Sequence, residues 1–205
     1  MGPVSCRTTA FTRRAYTCRA RCPRPSRAGR RRFRLHSPAM PAISKEDFKA
    51  VMGSFASGVT VVTTVDGDGR KWGLTVSAFS SLSLDPPLCL VCIDKRAGSL
   101  AALTGARKFA VNVLSDAQES VSNTFASRAD DKFAAVAHEA GPATGCPVFP
   151  GALAWMECEL RDVVSGGDHD ILIGEIRSTH TDPNAKPLLY WRGAYGDITS
   201  RPKSW

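Results

Sequence analysis

Residues 59–65 run Val59-Thr60-Val61-Val62-Thr63-Thr64-Val65, β-branched at every position, and crowding at Cβ makes such a run a strand rather than a helix. Asp66-Gly67-Asp68-Gly69 follows, with the chemistry of a tight hairpin turn. The chain then returns through Trp72-Gly73-Leu74-Thr75-Val76-Ser77-Ala78-Phe79 as a second strand that continues to Leu84. Asp85-Pro86-Pro87 stops it there, because two prolines remove two ladder donors. Further strands are expected at 88–94, 109–114, 153–164, 171–181 and 188–191, the third and fourth joined through Ser165-Gly166-Gly167-Asp168. Helices are fewer. Ser44 with Asp47 makes a capping pair, and Phe48, Val51, Met52 and Phe55 then form one apolar face that Gly58 ends. A short helix is expected near 98–105, and another, capped by Ser115 or Asp116, runs to about Ser127. The Gly-, Pro- and Ala-rich stretch 137–150 reads as a loop. Roughly seven strands with short turns and a few peripheral helices give a mainly β chain, an antiparallel barrel rather than a βαβ sheet.

Charge divides the chain. Residues 1–40 carry eleven arginines and no acid; from 41 onward there are sixteen basic and nineteen acidic side chains, a net of −3 against +8 for the whole. The basicity belongs to a leader, 1–40, ahead of one folded domain, 41–205. Nucleic-acid binding, which needs its basic surface on the fold or on a folded arm, is therefore not expected. The leader reads as a start codon placed too early ahead of Met40-Pro41-Ala42, as an Arg-rich transit peptide, or as a disordered arm. It lacks the apolar run of a secretory signal, and no stretch approaches the ~18 to 20 apolar residues of a membrane span. A cytoplasmic location follows, organellar if the leader is a true transit peptide.

The seven cysteines suggest no framework. Cys89 and Cys92 form a C-x-x-C, but inside the apolar run Leu88-Cys89-Leu90-Val91-Cys92-Ile93 they should point to opposite faces of a strand and cannot converge on zinc. Free, buried thiols fit a reducing compartment. Gly53 and Gly58 have P-loop spacing, yet Val59 stands where the lysine belongs and the helix precedes the glycines. There is no G-x-G-x-x-G after a strand, no H-E-x-x-H and no G-x-S-x-G, so a Rossmann unit, a metal site and a serine nucleophile all lack support.

Two features carry chemistry. Thr75, Ser77, Ser80, Ser81 and Ser83 place five hydroxyls within nine residues of a barrel strand. Hydroxyls there either face solvent on a half-exposed strand or serve an uncharged site for phosphate oxygens and the polar edge of a flat heterocycle. Asp168-His169-Asp170 sets an imidazole between two carboxylates at a hairpin, which is either a solvated turn histidine or a group poised near its protonation midpoint.

In order, Phe55-Ala56-Ser57-Gly58-Val59-Thr60-Val61-Val62-Thr63, Gly73-Leu74-Thr75-Val76-Ser77-Ala78-Phe79-Ser80-Ser81-Leu82-Ser83, Asp85-Pro86-Pro87, Cys92-Ile93-Asp94 with Ser99, Phe109-Ala110-Val111-Asn112-Val113-Leu114, Asp131-Lys132-Phe133, Gly167-Asp168-His169 with Gly174-Glu175, and Pro187-Leu188-Leu189-Tyr190 resemble the flavin reductase family with the FMN-binding split-barrel fold. The resemblance covers 46–198 and implies a homodimer with flavin at the subunit interface. It also implies hydride transfer from NADH or NADPH to FMN or FAD, and supply of reduced flavin to a partner flavin-dependent monooxygenase. By it, Thr75, Val76, Ser77 and Ala78 face the isoalloxazine, largely through backbone atoms. Ser81, Lys95 and Ser99 lie near the ribityl phosphate with Asn112 close by, Asp94 belongs to the same cofactor-binding set, and Val59 and Thr60 border the pocket. His169 is the catalytic position beside the nicotinamide. Such chemistry needs two rings stacked and water excluded rather than a triad or a metal. A flavin-binding module or redox sensor of the same fold would share every flavin-side motif. A split-barrel oxidase acting on an amine would need a cluster of basic residues, which the folded part does not display in sequence.

Overall fold

A computed structural model describes residues 42–196 and Ile198; the Arg-rich leader read from the sequence lies outside the described residues. The helix α1 spans Lys45–Met52, and Ser44 caps it as expected, its Oγ accepting from the Asp47 N–H at 2.9 Å. The helix ends at Gly53 rather than at Gly58. The Gly53 N–H closes the last turn on the Lys49 carbonyl at 2.8 Å, while the Gly53 carbonyl accepts from the Arg192 N–H, which turns the chain away.

Twelve strands follow among the described residues: β1 (Ser57–Gly58), β2 (Thr60–Val65), β3 (Lys71–Val76), β4 (Phe79–Ser83), β5 (Leu88–Asp94), β6 (Lys108–Val113), β7 (Glu139–Ala140), β8 (Pro147–Val148), β9 (Ala154–Gly166), β10 (His169–Thr181), β11 (Leu189–Trp191) and β12 (Ala194–Gly196). Seven of them form one antiparallel sheet in the order β3-β2-β6-β9-β10-β5-β4. The expected single strand from Trp72 to Leu84 is in fact two, β3 and β4, broken at Ser77-Ala78. The break has a topological cause. β3 pairs with β2 and β4 pairs with β5, so one stretch of chain supplies both outer strands and closes the sheet on itself. At the break, the Ala78 carbonyl accepts from the Cys92 N–H at 2.9 Å, pinning the corner to β5. The result is a split antiparallel barrel.

Val62, Val91, Ile93, Phe109, Val111 and Leu172 fill the barrel interior. Helix α2 (Ser99–Ala106) contributes Leu103 to it. A second core under α3 (Glu119–Ala126) gathers Val59, Val61, Leu114, Phe125, Phe133 and Phe149. α3 is preceded by a 3₁₀ turn, Asp116–Gln118, with Ser115 in a capping box, so the sequence signal was right and the first turn is tighter than expected. Within β5 burial alternates, Cys89 inward and Cys92 outward, as the strand period requires. Cys89 instead meets Cys158 of β9, their sulfurs 3.6 Å apart. Among the described residues no helix is long and apolar enough to cross a membrane.

Candidate functional site

Beside the split lies a cleft of about 1030 Å³, walled by the β2–β3 turn and β3 from Gly69 to Thr75, by the approach to α2 from Arg96 to Ser99, and by the end of α3 with its following loop, Phe125 to Ala134. Gly73 makes its floor. A Cβ at Gly73 would sit 2.5 Å from the Phe125 ring, so only glycine lets α3 pack this close to β3. Two donors converge on the Gly73 carbonyl from opposite walls, Ser99 Oγ at 3.5 Å and Lys132 Nζ at 3.4 Å. Lys132 also donates to the Phe125 carbonyl at 3.0 Å, and burial holds its ammonium below the usual lysine range. Thr75 Oγ1 donates to the Ser122 carbonyl at 2.6 Å, tying β3 to α3.

The cleft is cationic. Arg70, Lys71, Arg96, Arg128 and Lys132 line it against Asp130 and Asp131, in a domain whose net charge is negative. Sequence reading expected no basic cluster in the folded part. Three separated segments each bring one or two cations, and only folding assembles them. The residues missed by sequence are therefore these cations and Gly73; Gly73 and Lys132 each stand in a motif of the family resemblance, but nothing in their neighbours announced a role in a site.

The expected cofactor residues divide into four groups. Thr75 and Ser99 line the cleft. Ser77, Ala78 and Ser81 are exposed at the split, so most of the hydroxyl run faces outward from this chain. Val59, Thr60, Val76 and Asn112 are buried. Thr60 Oγ1 donates to the Val76 carbonyl at 2.6 Å. Asn112 cross-links β2, β6 and the segment of β8: its amide donates to the Val61 and Pro147 carbonyls, and its oxygen accepts from the Phe149 N–H at 2.9 Å. Both side chains are committed inside the protein, so any approach to a ligand would be through backbone.

The fourth group is Asp94, Lys95 and His169, at the end of β5 and the start of β10. Asp94 and His169 are register partners. Arg96 chelates the Asp94 carboxylate through Nε at 3.1 Å and Nη2 at 2.7 Å, which holds that carboxyl well below the usual range. Arg96 thus joins the cleft to the His169 hairpin. His169 Nδ1 lies 2.8 Å from Asp168 Oδ1, and the hydrogen bond from His169 lowers the Asp168 pKa. With Nδ1 bonded to Asp168, Nε2 has no hydrogen-bond partner among the described residues. Lys95, expected at a phosphate, is instead bonded to the hairpin: Nζ donates to Ser165 Oγ and to the Gly167 carbonyl, each at 2.7 Å.

The flavin reductase like domain profile matches residues 52–199. This chain belongs to that family. A flavin reductase of Pseudomonas putida is 40% identical over 159 residues, covering 78% of this chain and 93% of the relative. The reductase subunit HsaB of a flavin-dependent monooxygenase from Rhodococcus jostii is 41% identical over 160 residues, 78% of this chain and 81% of that one. Two relatives in Rhizobium meliloti are longer, and the matches span only 45% and 63% of them. Among solved structures, the NADH:FAD oxidoreductase SgcE6 of Streptomyces globisporus superposes with a TM-score of 0.73 at 34% identity, over 80% of this chain and all of that one. The split barrel of this flavin reductase family member is thus shared with a protein named for both NADH and FAD.

Proposed function

We propose that this protein is an NAD(P)H-dependent flavin reductase that uses FMN or FAD and supplies reduced flavin to a partner monooxygenase. The observation that carries the proposal is the cationic cleft beside the barrel split, a concentration of positive charge in a domain of net −3. Its volume is at the upper end of small-molecule sites, roughly 300–1,000 Å³, and its five cations suit the phosphates of a flavin nucleotide. When bound, the flavin supplies the acceptor for a hydride. The chain's own work is to bind and orient. Ser99 and the cleft cations hold phosphate, the backbone of Thr75–Ala78 borders the ring, and the Phe125 and Phe133 rings beneath, 4.9 Å apart edge to face, keep the floor rigid. His169 offers Nε2 to the nicotinamide. A homodimer belongs to the proposal, because Ser77, Ala78 and Ser81 are exposed and a second subunit would complete the site.

Anaerobic mixing of purified protein with FMN or FAD and with NADH or NADPH tests this. At least one pairing should bleach the oxidised flavin's visible absorbance with saturation in the nicotinamide. Binding of flavin without reduction by either nicotinamide would overturn the reductase reading in favour of a flavin-binding module. For His169→Ala, kcat/KM for the nicotinamide should fall by about tenfold or more, in the range that a lost positioning contact produces, while the flavin dissociation constant stays within about twofold. Unchanged reduction kinetics at every nicotinamide concentration would make His169 a solvated turn residue.

A further inference from the structure

We infer that Lys95 is the positioning residue for nicotinamide use, holding in place the turn that presents His169; this rests on the reading of His169 given above. An ammonium has three N–H donors. Two of those of Lys95 bond Ser165 Oγ and the Gly167 carbonyl, each at 2.7 Å, and the charge forms a looser ion pair with Asp170 Oδ1 at 3.6 Å. Its backbone N–H donates to the Asp168 carbonyl at 3.0 Å. One residue of the β5–α2 connection therefore contacts residues on both sides of His169 and the opposite strand of the hairpin. Both of its short side-chain hydrogen bonds go to the hairpin, and neither goes to the cleft that Arg96 and Lys132 line.

The hairpin needs such a clamp. Its two-residue turn, Gly167-Asp168, has Gly167 at φ +70°, a conformation that suits glycine and gives no side-chain packing. Residues 161–168 are exposed, and β5 pairs with β10 only as far as the His169–Asp94 position. Beyond that register, Lys95 is what ties the tip to the barrel. The ion pair with Asp170 is partly exposed, so it contributes little to global stability; its effect is on where the imidazole sits.

Lys95→Met tests the inference through two independent readouts. In the protein without flavin, amide hydrogen exchange at residues 165–170 should quicken about tenfold or more while the central strands β2, β6 and β9 keep their protection. In turnover, the nicotinamide KM should rise roughly tenfold with the flavin dissociation constant within about twofold. In a double-mutant cycle, adding Lys95→Met to His169→Ala should cost less than about twofold more, because a clamp has nothing left to position. Unchanged exchange at the tip overturns the clamp. So does a loss of flavin affinity equal to the loss in nicotinamide use, which would make Lys95 a phosphate ligand, or the same loss in both backgrounds. If His169→Ala alone leaves nicotinamide use at the wild-type level, the His169 reading itself fails; if His169→Ala is impaired and Lys95→Met is not, only the present inference does.

Discussion

Glu157→Ala is expected to be the most destabilising single change at a polar position of the barrel. Glu157 sits on β9 with no exposed surface, an unusual place for a carboxylate. Its Oε2 accepts from the Ala143 N–H at 2.9 Å, and its Oε1 accepts from the Thr144 N–H and Thr144 Oγ1 at 2.7 Å each. The carboxylate thus substitutes for the strand partners that the loop 141–146 lacks. Gly141 packs so closely against it that a Cβ there would collide with the carboxyl group. The loop in turn delivers Pro147, whose carbonyl accepts from Thr63 Oγ1 at 2.6 Å and from Asn112. Removing the side chain leaves three donors without an acceptor and a void behind them. The cost should be about 3 kcal/mol or more. Urea unfolding should show a lowered midpoint with an unchanged slope, and the melting temperature should fall by roughly 6–12 °C. Glu157→Gln should lie between, since it keeps one acceptor oxygen but aims an amide NH₂ at a backbone N–H. Wild-type stability in Glu157→Ala would show that water replaces the carboxylate at no cost.

If the proposed homodimer forms through helix α1, Phe48→Asp is expected to separate its subunits without unfolding them. Helix α1 buries none of its residues: Phe48 is 59% exposed, Val51 70% and Met52 55%. Leu84, just after β4, is 92% exposed, and Leu82 is also open. An apolar face of this kind on a capped helix suits the interface of the proposed homodimer, where a buried aromatic typically contributes about 2 kcal/mol or more. The dimer dissociation constant should rise by roughly 30-fold or more, read by sedimentation equilibrium. Circular dichroism and the melting transition of the dilute variant should match those of dilute wild-type protein, because Phe48 is mostly exposed and belongs to none of the core clusters of the described residues. Flavin affinity should fall with the dimer if the second subunit completes the site. A wild-type chain that sediments as a monomer at micromolar concentration would sink this reading.

Local signals carried far in this chain. Consecutive β-branched residues made β2 legible, Ser44 and Ser115 marked two helix starts, and Ser165–Asp168 marked the long hairpin, because each depends on the backbone preferences of a few adjacent residues. The strand period alone separated Cys89 from Cys92. Eight collinear short blocks were enough to identify the family, since order along the chain needs no geometry.

What sequence could not decide was anything that depends on who meets whom. The run Trp72–Leu84 is uniformly strand-forming, and its break at Ser77-Ala78 arises because the two halves pair with opposite edges of one sheet. The apolar stripe of α1 has the period of a core helix, yet nothing in the described chain covers it. Asn112 reads as a ligand-facing amide but is spent on three elements of the core, and Lys95 reads as a phosphate ligand but is spent on a turn 70 residues away. The cationic cleft is the plainest case: its five cations come from three segments far apart in the chain. Propensity and period are properties of neighbours in the chain, and they settled the strands, the caps and the hairpins. Convergence of charge, closure of a sheet and the commitment of a polar side chain are properties of neighbours in space, so the barrel's split, its cleft and its clamp were decided by tertiary structure alone.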